Sequence, residues 1–521
     1  MASIAEIDGL TIPSSAEIDA FTFAIDTSLG DGTATFHLPL SGTVNFTVYW
    51  GDGNSDTITS DSAPEMDHTY STGGTYDVIL DGTIGTWNSG TTTDRTKVTD
   101  VKKWSSNFLA GTFQNFTNLT SDTATDYPAS TSLGSFYRSA SNFNGDISDW
   151  DTSAVTQFGV MFFGASSFNR SLNGWDVSGA TNLNNMFRSA TVFNGDITSW
   201  DVSNVTSFER LFDNAIAFNQ AIGGWTTTSL INCKEVFDGA IAFNQSLNNW
   251  DMSNVTNMSR MFANASAFNG DITGWNTASA TNMSNLFFRA TVFNQDIGSW
   301  NVSSVTNMTN MFQDASAFNQ DINSWNVANV TSMNAMFRST SYSVSLNSWT
   351  TTSLTNLNGI FATGTANPNC TSWDTSSVTD MTQFAQTNTA FNQDLSGWDM
   401  SSVTTFFEAF DRATAFNADI SGWNTSSATS FKRMFRDNTA FNRDLGSWDI
   451  GALTDATDMI GGSGLSTSNY DALLIGWAAQ APNIQSNVTL STGPQYTSAA
   501  ASARNVLTST YNWTISDGGQ V

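Results

Sequence analysis

Apolar side chains recur along most of this chain at one fixed interval. A phenylalanine usually stands seven residues before a tryptophan, as at Phe143 and Phe268, and an isoleucine or leucine stands three before it. The tryptophans of this column are Trp150, Trp175, Trp200, Trp225, Trp250, Trp275, Trp300, Trp325, Trp349, Trp373, Trp398, Trp423 and Trp448. Successive tryptophans stand 25 positions apart, except that the two intervals on either side of Trp349 are one position shorter. Such a period predicts a solenoid, in which each turn buries its apolar side against the next turn.

Each 25-residue turn contains two different local patterns. From Val255 to Phe268 the apolar residues are three or four positions apart, which predicts a short helix. The stretch from Ile272 to Thr277 is β-branched and rich in turn residues, which predicts a short strand and its corner. The expected fold is therefore a leucine-rich-repeat-like solenoid with one short strand and one short helix per turn. A pure β-solenoid is the alternative, because runs such as NVTNM also suit a strand.

The two ends of the chain follow other patterns. In residues 21–88 apolar and polar residues alternate between turns that contain Gly and Asp, which predicts a small β-sandwich. We expect an N-terminal docking leader at 1–20, a linker leading into the repeats at 89–104, the solenoid at 105–460 and a C-terminal α/β cap at 461–521. Leu473, Leu474, Ile475 and Trp477 are expected to cover the last turn, because terminal repeats need a cap.

Two parts of the sequence resemble known families. In the front domain, the run WGDG at 50–53, with HTY at 68–70 and GTY at 74–76, resembles the PKD domain, an immunoglobulin-like module. Repeats such as MFANASAFNGDITGW, together with the closing run YDALLIGWAAQ, resemble the BspA-like leucine-rich-repeat surface proteins, which carry 25-residue repeats of the Mycoplasma-lipoprotein type. These resemblances imply a bacterial surface adhesin, or a related phage-encoded protein, without catalytic activity.

The charge of the chain limits its partners. There are 46 acidic and 18 basic residues, which give a net charge of −28. Nucleic acid and anionic lipid attract basic proteins, so neither is an expected partner. The sequence has no run of 18 apolar residues, so we expect no membrane insertion. The first basic residue is Arg95, so no basic segment of a secretory signal peptide is found and none is expected.

Acidic residues form a possible metal site. An aspartate stands four positions before most of the repeat tryptophans, as at Asp146 and Asp271. Calcium would relieve the repulsion between stacked carboxylates, but Ser171 interrupts the column. We therefore favour turn capping and keep calcium as the alternative. Asp52 and Asp56 in the front domain are weaker metal candidates, and no other cofactor is expected.

The sequence offers little for catalysis. The only histidines, His37 and His68, lie in the front domain, so no triad or zinc site is predicted in the repeats. Two carboxylates alone would serve a glycosidase, but no pair stands out among the repeated aspartates. Cys233 and Cys370 occupy apolar columns and are predicted to be reduced core thiols. We expect no enzyme, with a carbohydrate-active enzyme as a distant alternative.

Two polar or aromatic columns have competing interpretations. The tryptophans would bind sugars if they formed an exposed ladder, but their fixed phase with other apolar columns favours burial. The asparagines that follow the phenylalanine column, such as Asn144 and Asn269, are expected to pair with backbone groups at a repeated turn.

Basic residues are concentrated in one part of the turn. Of the 18, eleven stand 9–14 positions after a repeat tryptophan or its equivalent. Because solenoids recognise partners by varying residues on a constant frame, this edge is the predicted interaction face. Its candidate residues are Arg210, Lys234, Arg260, Arg289, Arg338, Arg412, Lys432, Arg433 and Arg436.

These observations predict a non-catalytic structural or adhesion protein displayed on a surface. The leading hypothesis is a phage virion component, such as a fibre, adhesin or decoration protein. It would contact a protein or glycan on the host surface, and other virion proteins through its N-terminal region. The alternative is a secreted adhesin of the bacterial cell surface, with an extracellular location.

Overall fold

The computed structural model describes residues 5–7, 10–12, 19–87, 93–108 and 110–521. Most of the predicted docking leader, residue 88 of the predicted sandwich and residues 89–92 of the predicted linker lie outside the described residues. The chain forms two compact units, Met1–Asn254 and Val255–Val521. The first unit contains the front domain and the earlier repeats, and the second contains the later repeats and the C-terminal cap.

Strands are concentrated at the front of the first unit. In chain order they are β1 (Ala5–Ile7), β2 (Leu10–Ile12), β3 (Ala20–Asp26), β4 (Thr35–His37), β5 (Leu40–Ser41), β6 (Asn45–Tyr49), β7 (Ser55–Ile58), β8 (Asp67–Thr69), β9 (Thr75–Thr83), β10 (Thr86–Trp87), β11 (Val98–Lys103), β12 (Ala110–Gly111), β13 (Ser121–Asp122), β14 (Thr489–Gly493) and β15 (Thr514–Asp517). The α-helices of the described residues are α1 (Thr467–Ala478) and α2 (Ala501–Asn505). Short 3₁₀ turns lie at Pro64–Met66, Thr93–Lys97 and Ile222–Gly224, and one π turn lies at Val506–Thr510.

The front domain is built on a six-stranded sheet in the order β13-β11-β3-β9-β6-β7. Its central strand β3 is almost entirely buried and pairs antiparallel with β9, with Phe23 opposite Val78. A three-stranded sheet, β12-β10-β5, and the pair β4-β8 complete this domain, and β1 pairs with β2. Aromatic rings hold the sheets together: Phe21 lies 5.2 Å from Trp87 and 5.6 Å from Trp104, measured between ring centroids.

The main sheet extends beyond the boundary expected at residue 88. The strand β11 lies in the segment predicted to be a linker, yet it pairs antiparallel with β3, and β13 pairs in parallel with β11. Val98 and Val101 of β11 are fully buried. The apolar side chains of this segment therefore belong to the core of the front domain, and only part of 89–104 is left to connect it to the repeats.

The tryptophan column is buried in both units. Trp200 and Trp225 stack with ring centroids 6.1 Å apart, and Trp275 and Trp300 stack at 5.8 Å. No repeat tryptophan is more than 7% exposed. Indole N–H groups donate to backbone carbonyls of the preceding repeat, as Trp200 Nε1 does to Leu172 at 2.8 Å. Burial on this scale favours a core role over an exposed ladder for sugars.

The segment predicted to be a short helix is instead a run of tight turns. Met161 N–H donates to the carbonyl of Phe158, three residues earlier, at 3.2 Å. The next amide, that of Phe162, donates to the carbonyl of Met186 in the following repeat at 2.9 Å. Amides alternate between these two kinds of partner along the segment. Within each unit, neighbouring repeats are thus hydrogen-bonded to each other through the main chain.

Positive φ angles explain why no helix forms there. Val160 has φ of 66° and Gly164 has φ of 70°, whereas an α-helix requires negative φ throughout. A type II turn requires positive φ at its third residue, and residues at its two ends lie close together. The same two positions have positive φ in later repeats, as in the pairs Asn185 and Ser189, Arg210 and Asn214, Asn310 and Asp314, and Glu408 and Arg412. Apolar spacings of three residues therefore come from tandem turns, and the predicted helix is wrong.

The predicted strand is reduced to one bridging residue per repeat. Asn282 pairs in parallel with Asn257 and with Asn307, its equivalents one repeat away on either side. This position follows the tryptophan by seven residues and lies outside the stretch Ile272–Thr277. Tandem repeats are confirmed, but their regular element is a single bridge.

The asparagine and aspartate columns pair with the backbone. Asn169 N–H donates to Oδ1 of Asn144 at 3.0 Å, and equivalent bonds recur in both units. Asp146 Oδ1 accepts from the backbone N–H and the hydroxyl of Ser148, which closes a local turn. Both columns therefore satisfy groups that would otherwise lack partners at the surface of the stack.

The C-terminal cap covers the last repeat with α1. Trp477 is fully buried, and its Nε1 donates to the carbonyl of Leu445 at 3.0 Å. Leu473 and Leu474 are also buried, as predicted, but Ile475 is 45% exposed and does not take part. The reason is helical geometry, which turns one residue of this apolar run away from the core.

Two further features follow the sequence. Cys233 and Cys370 are free and buried. Burial raises the pKa of both thiols well above the ordinary value. Among the described residues, no helix is sufficiently long and apolar to cross a membrane.

Removal of one stacked ring tests the aromatic core. Trp300 is 3% exposed, and its Nε1 donates to Ile272 at 3.3 Å. Trp300→Ala should lower the free energy of unfolding by about 3–5 kcal/mol, the range for a buried aromatic truncation. Chemical denaturation measures the change, with the surface variant Ser304→Ala as control. A loss below that of the control would show that the ring is not part of the core.

The strained turn offers a stabilising substitution. Val160 is β-branched and half-buried, and its φ of 66° is one that valine rarely adopts. Val160→Gly should therefore raise the free energy of unfolding by about 1 kcal/mol, because relief of backbone strain outweighs the packing lost from a half-buried side chain. The exposed residue Ala154 is not among the positive-φ positions, and Ala154→Gly should lower stability by roughly 0.5–1 kcal/mol. If thermal unfolding shows that both variants are less stable than the parent protein, the backbone at Val160 is not strained.

Candidate interaction surface

The predicted interaction residues lie on the tight-turn segments. We use the term charged face for the side chains that stand nine to fourteen positions after each repeat tryptophan. Arg210, Arg260 and Arg433 occupy the first positive-φ position of their turns, with φ between 54° and 56°. Arg289 and Arg412 occupy the second such position, with φ of 57° and 56°.

In the first unit, the charged face is linked by ion pairs between neighbouring repeats. Arg210 Nε lies 2.5 Å from Glu235 Oε2, and Lys234 Nζ lies 3.3 Å from Glu209 Oε1. Both pairs join residues 25 positions apart, which is one repeat. Each of these two repeats therefore supplies one basic and one acidic residue to the ion pairs that join them.

Arg188 adds a further link in this unit. Its Nε lies 2.8 Å from Asp213 Oδ2, although the N–H is not aligned for a hydrogen bond. The Arg188 guanidinium also lies 5.3 Å from the centroid of the Phe163 ring. Burial raises the pKa of Asp213, and the nearby Arg188 partly opposes this shift.

The second unit contains a denser group of charges. Arg436 donates through two nitrogens to Asp411, at 2.8 and 2.9 Å, and Asp411 is fully buried. Arg433 Nη1 lies 3.2 Å from Glu408 Oε1. The Glu408 carboxylate also accepts from Gln383 at 3.0 Å. This network connects three consecutive repeats.

Other predicted residues are placed differently. Arg289 and Arg412 form more exposed pairs, with Asp314 at 3.5 Å and with Asp437 at 3.3 Å. The half-buried side chains of Arg338 and Lys432 form no ion pair within the described part of the chain. Their charges are therefore the ones least committed to holding the repeats together.

An apolar patch lies beside the charged face and was not predicted. Val192, Ile216 and Ile241 are 43–47% exposed in three consecutive repeats of the first unit. Ala242 N–H donates to the carbonyl of Ile216, so the patch continues from one repeat to the next. The sequence signal was available for Ile216 and Ile241, since serine or threonine stands at their position in other repeats, as at Ser166, while Val192 stands one position later in its repeat.

The metal candidates of the front domain are engaged in hydrogen bonds. Asp52 Oδ2 is 2.8 Å from His68 Nε2, and Asp56 Oδ2 accepts from Trp50 Nε1 at 2.8 Å. Burial raises the pKa of Asp52, but hydrogen bonds from His68 and Asn54 hold it below the ordinary value. The imidazole of His68 stacks on Trp50 at 4.6 Å. Within the described ranges, no group of three or more His, Cys, Asp or Glu side chains is placed to hold a metal ion.

A cavity of about 710 Å³ lies in the first unit where the repeats begin. Asp122, Asn142, Asp149 and Arg170 contribute to its lining. Burial raises the pKa of the Asp122 carboxyl to about 7. Hydrogen bonds to this carboxyl, chiefly the one from Tyr137, oppose the shift. The sequence analysis did not identify this cavity.

The columns and the bonds between repeats define a tandem-repeat protein. The family model described as "Mycoplasma protein of unknown function, DUF285" matches residues 107–220, 193–287, 271–371 and 362–472. These overlapping segments span well over half of the chain, and the chain belongs to this family. No curated protein and no solved structure matches the chain. The match lies in the repeats and leaves the front domain outside.

Two arginines of the charged face should differ in their contribution to stability. Arg436→Ala leaves the buried Asp411 without its bidentate partner and should lower the free energy of unfolding by about 3–5 kcal/mol. Arg289→Ala should change it by at most about 1 kcal/mol, since Arg289 is 60% exposed in its 3.5 Å pair with Asp314. Urea denaturation measures both. Equal losses would contradict a role for burial in these pairs.

Proposed function

We propose that the chain is a non-catalytic protein displayed on a surface, where a solenoid of tandem repeats presents the charged face to a partner. The partner is a protein or glycan of a host or cell surface. In the leading form of the proposal the protein is a phage virion component, whose N-terminal region contacts other virion proteins. In the second form it is a secreted bacterial adhesin.

One observation carries the proposal: the charged face varies while the backbone beneath it does not. The first positive-φ position is occupied by Arg210, Glu235, Arg260, Asn285 and Ala335, with φ between 51° and 58°. Glycine adopts this conformation without strain, and most other residues do so at a cost. A residue other than glycine at this position must therefore offset the cost of its positive φ through interactions of its side chain. Some form ion pairs, and variation on a constant frame is how repeat proteins recognise partners.

The hydrogen bonds of the acidic and basic groups support a non-catalytic role. His37 Nδ1 and His68 Nε2 each lie 2.8 Å from an aspartate of the front domain. Aspartates of the repeats close local turns, as Asp146 does with Ser148. These groups are used within the fold, and the proposal assigns them no chemistry.

The apolar patch supports a protein partner in particular. A patch of Val192, Ile216 and Ile241 beside ion pairs combines apolar contact with charge complementarity, as protein interfaces do. Several exposed apolar side chains in a row are also uncommon on a surface that has no partner.

Location separates the two forms of the proposal. We expect peptides of this chain in purified virions from the source culture when these are analysed by mass spectrometry. Peptides found only in washed bacterial envelopes would favour the second form. Peptides found only in the soluble cell interior would contradict surface display.

Two uncommitted charges test the binding face. Arg338→Gln combined with Lys432→Gln should weaken binding of the labelled full chain to host cells about tenfold, if each charge contributes about 0.7 kcal/mol. The melting temperature should not change, because neither residue forms an ion pair among the described residues. Arg443→Gln is the control, since it lies off the charged face and glutamine makes the same bond at Gln245. Binding that is equally weakened by the control would contradict a specific face.

A further inference from the structure

We propose that the cavity where the repeats begin is a binding site for a neutral glycan. This inference goes beyond the charged face and rests on the proposed role in surface binding. It is carried by the place of the cavity in the repeat, by an exposed aromatic ring and by polar groups that lack partners within the fold.

The cavity lies where one column is interrupted. In later repeats a tryptophan stacks on the tryptophan of the preceding repeat, as Trp175 does on Trp150 at 6.1 Å. The equivalent position one repeat before Trp150 holds Thr125, which is too small to fill the same space. Trp150 packs edge-to-face on Trp104 at 5.8 Å instead. Thr125 lines the cavity, whose volume of about 710 Å³ falls in the range of small-ligand sites, about 300–1,000 Å³.

An aromatic ring stands at the border of this cavity. Tyr127 is 43% exposed and is the one aromatic residue among the large exposed apolar side chains of the described residues. It lines a smaller adjoining cavity together with Asp146, Asp149 and Trp150, and both aspartates also line the main cavity. Trp150 is the most exposed of the repeat tryptophans, at 7%. A flat ring with an apolar face and a polar hydroxyl suits the C–H face of a sugar.

Polar side chains are available to bind hydroxyl groups. The exposed side chains of Asn142 and Asp149 make no hydrogen bond within the described part of the chain. Asn142 offers both donors and acceptors, and the carboxylate of Asp149 offers acceptors only. Arg170 also lines the cavity, and its Nε donates to the carbonyl of Asn144 at 2.8 Å. Hydroxyl groups of a sugar fit such a mixture of donors and acceptors.

Charge selects among glycans. The exposed carboxylates of Asp146 and Asp149 line the main cavity against one basic residue, Arg170. This excess of carboxylates repels sugars that carry a carboxylate or sulfate. Among the described residues the acidic groups do not gather in threes in a way that would hold a metal ion. A neutral oligosaccharide is therefore the ligand class that fits.

The second unit provides an internal control. A cavity of about 380 Å³ is lined by Asn392, Asp394, Asn417, Asp419 and Arg443. These residues stand in the same columns as Asn144, Asp146 and Arg170, and no aromatic residue lines either this cavity or the main one; the main cavity differs in the adjoining small cavity that Tyr127 lines. The comparison separates the contribution of Tyr127 from that of the polar columns alone.

The test uses the full chain on an array of immobilised neutral, amino-bearing and acidic oligosaccharides. We expect binding to at least one neutral oligosaccharide and none to the acidic ones. Titration calorimetry with that oligosaccharide should show that Tyr127→Ala weakens binding about tenfold or more, as expected for loss of a stacked ring. Asp149→Asn should also weaken it, whereas Asp394→Asn and Arg443→Gln in the second cavity should leave it unchanged. Melting temperatures of all four variants should match that of the parent, because the changed side chains lie at the surface.

Three results would overturn the proposal: no neutral oligosaccharide bound, binding to acidic oligosaccharides only, or affinity unaffected by Tyr127→Ala. Its failure is distinguishable from failure of the proposed function. If the array stays empty while Arg338→Gln with Lys432→Gln still weakens cell binding, the cavity proposal fails and the charged face stands. Release of new reducing ends from a bound oligosaccharide would contradict the non-catalytic role but leave the binding site in place.

Discussion

Alternate amide groups of each tight-turn segment find their hydrogen-bond partners only in the neighbouring repeat. The amide of Phe162 reaches Met186, and that of Phe187 reaches Leu211. A single repeat would leave these amides unpaired beside buried aromatic rings, which is energetically unfavourable. The repeats are therefore stable only when stacked. Stacking of the phenylalanine and tryptophan columns follows from that register, since each ring meets its equivalent in the adjoining repeat.

The same register accounts for the charged face. Equivalent residues of adjacent repeats lie side by side, so an arginine in one repeat meets an acid in the next, as Arg210 meets Glu235. Where the acid is buried, as at Asp411, the ion pair also stabilises the fold. Recognition and stability thus share residues on this face. The side chains best suited to a partner are those, like Lys432, that the stack does not use.

Periodicity in the sequence predicted the columns well and the local conformation poorly. The constant phase of Trp, Phe and Asn determined which residues would meet, because identical residues one repeat apart must stack in any regular array. Spacings of three and four do not distinguish a helix from tandem turns, so the helix prediction failed. A signal was present in the recurrence of Asn and Ser at the turn positions, as at Asn185 and Ser189, since asparagine tolerates positive φ. The replacement of tryptophan by Thr125 was visible in the sequence, but the cavity beside it depends on the packing of Trp104, which only the structure provides.

The two repeats that are one residue shorter show what the stack tolerates. After Trp325, the ring that continues the phenylalanine column is Tyr342, one residue early, and it still stacks on Phe318 at 5.9 Å. In this repeat the loss of one residue is absorbed beside the turn without breaking the aromatic column. Since every bond joins only adjacent repeats, loss or duplication of a whole repeat would disturb even less. Unequal recombination within the gene is then a route to shorter and longer alleles, each with its own series of charged side chains on an unchanged backbone.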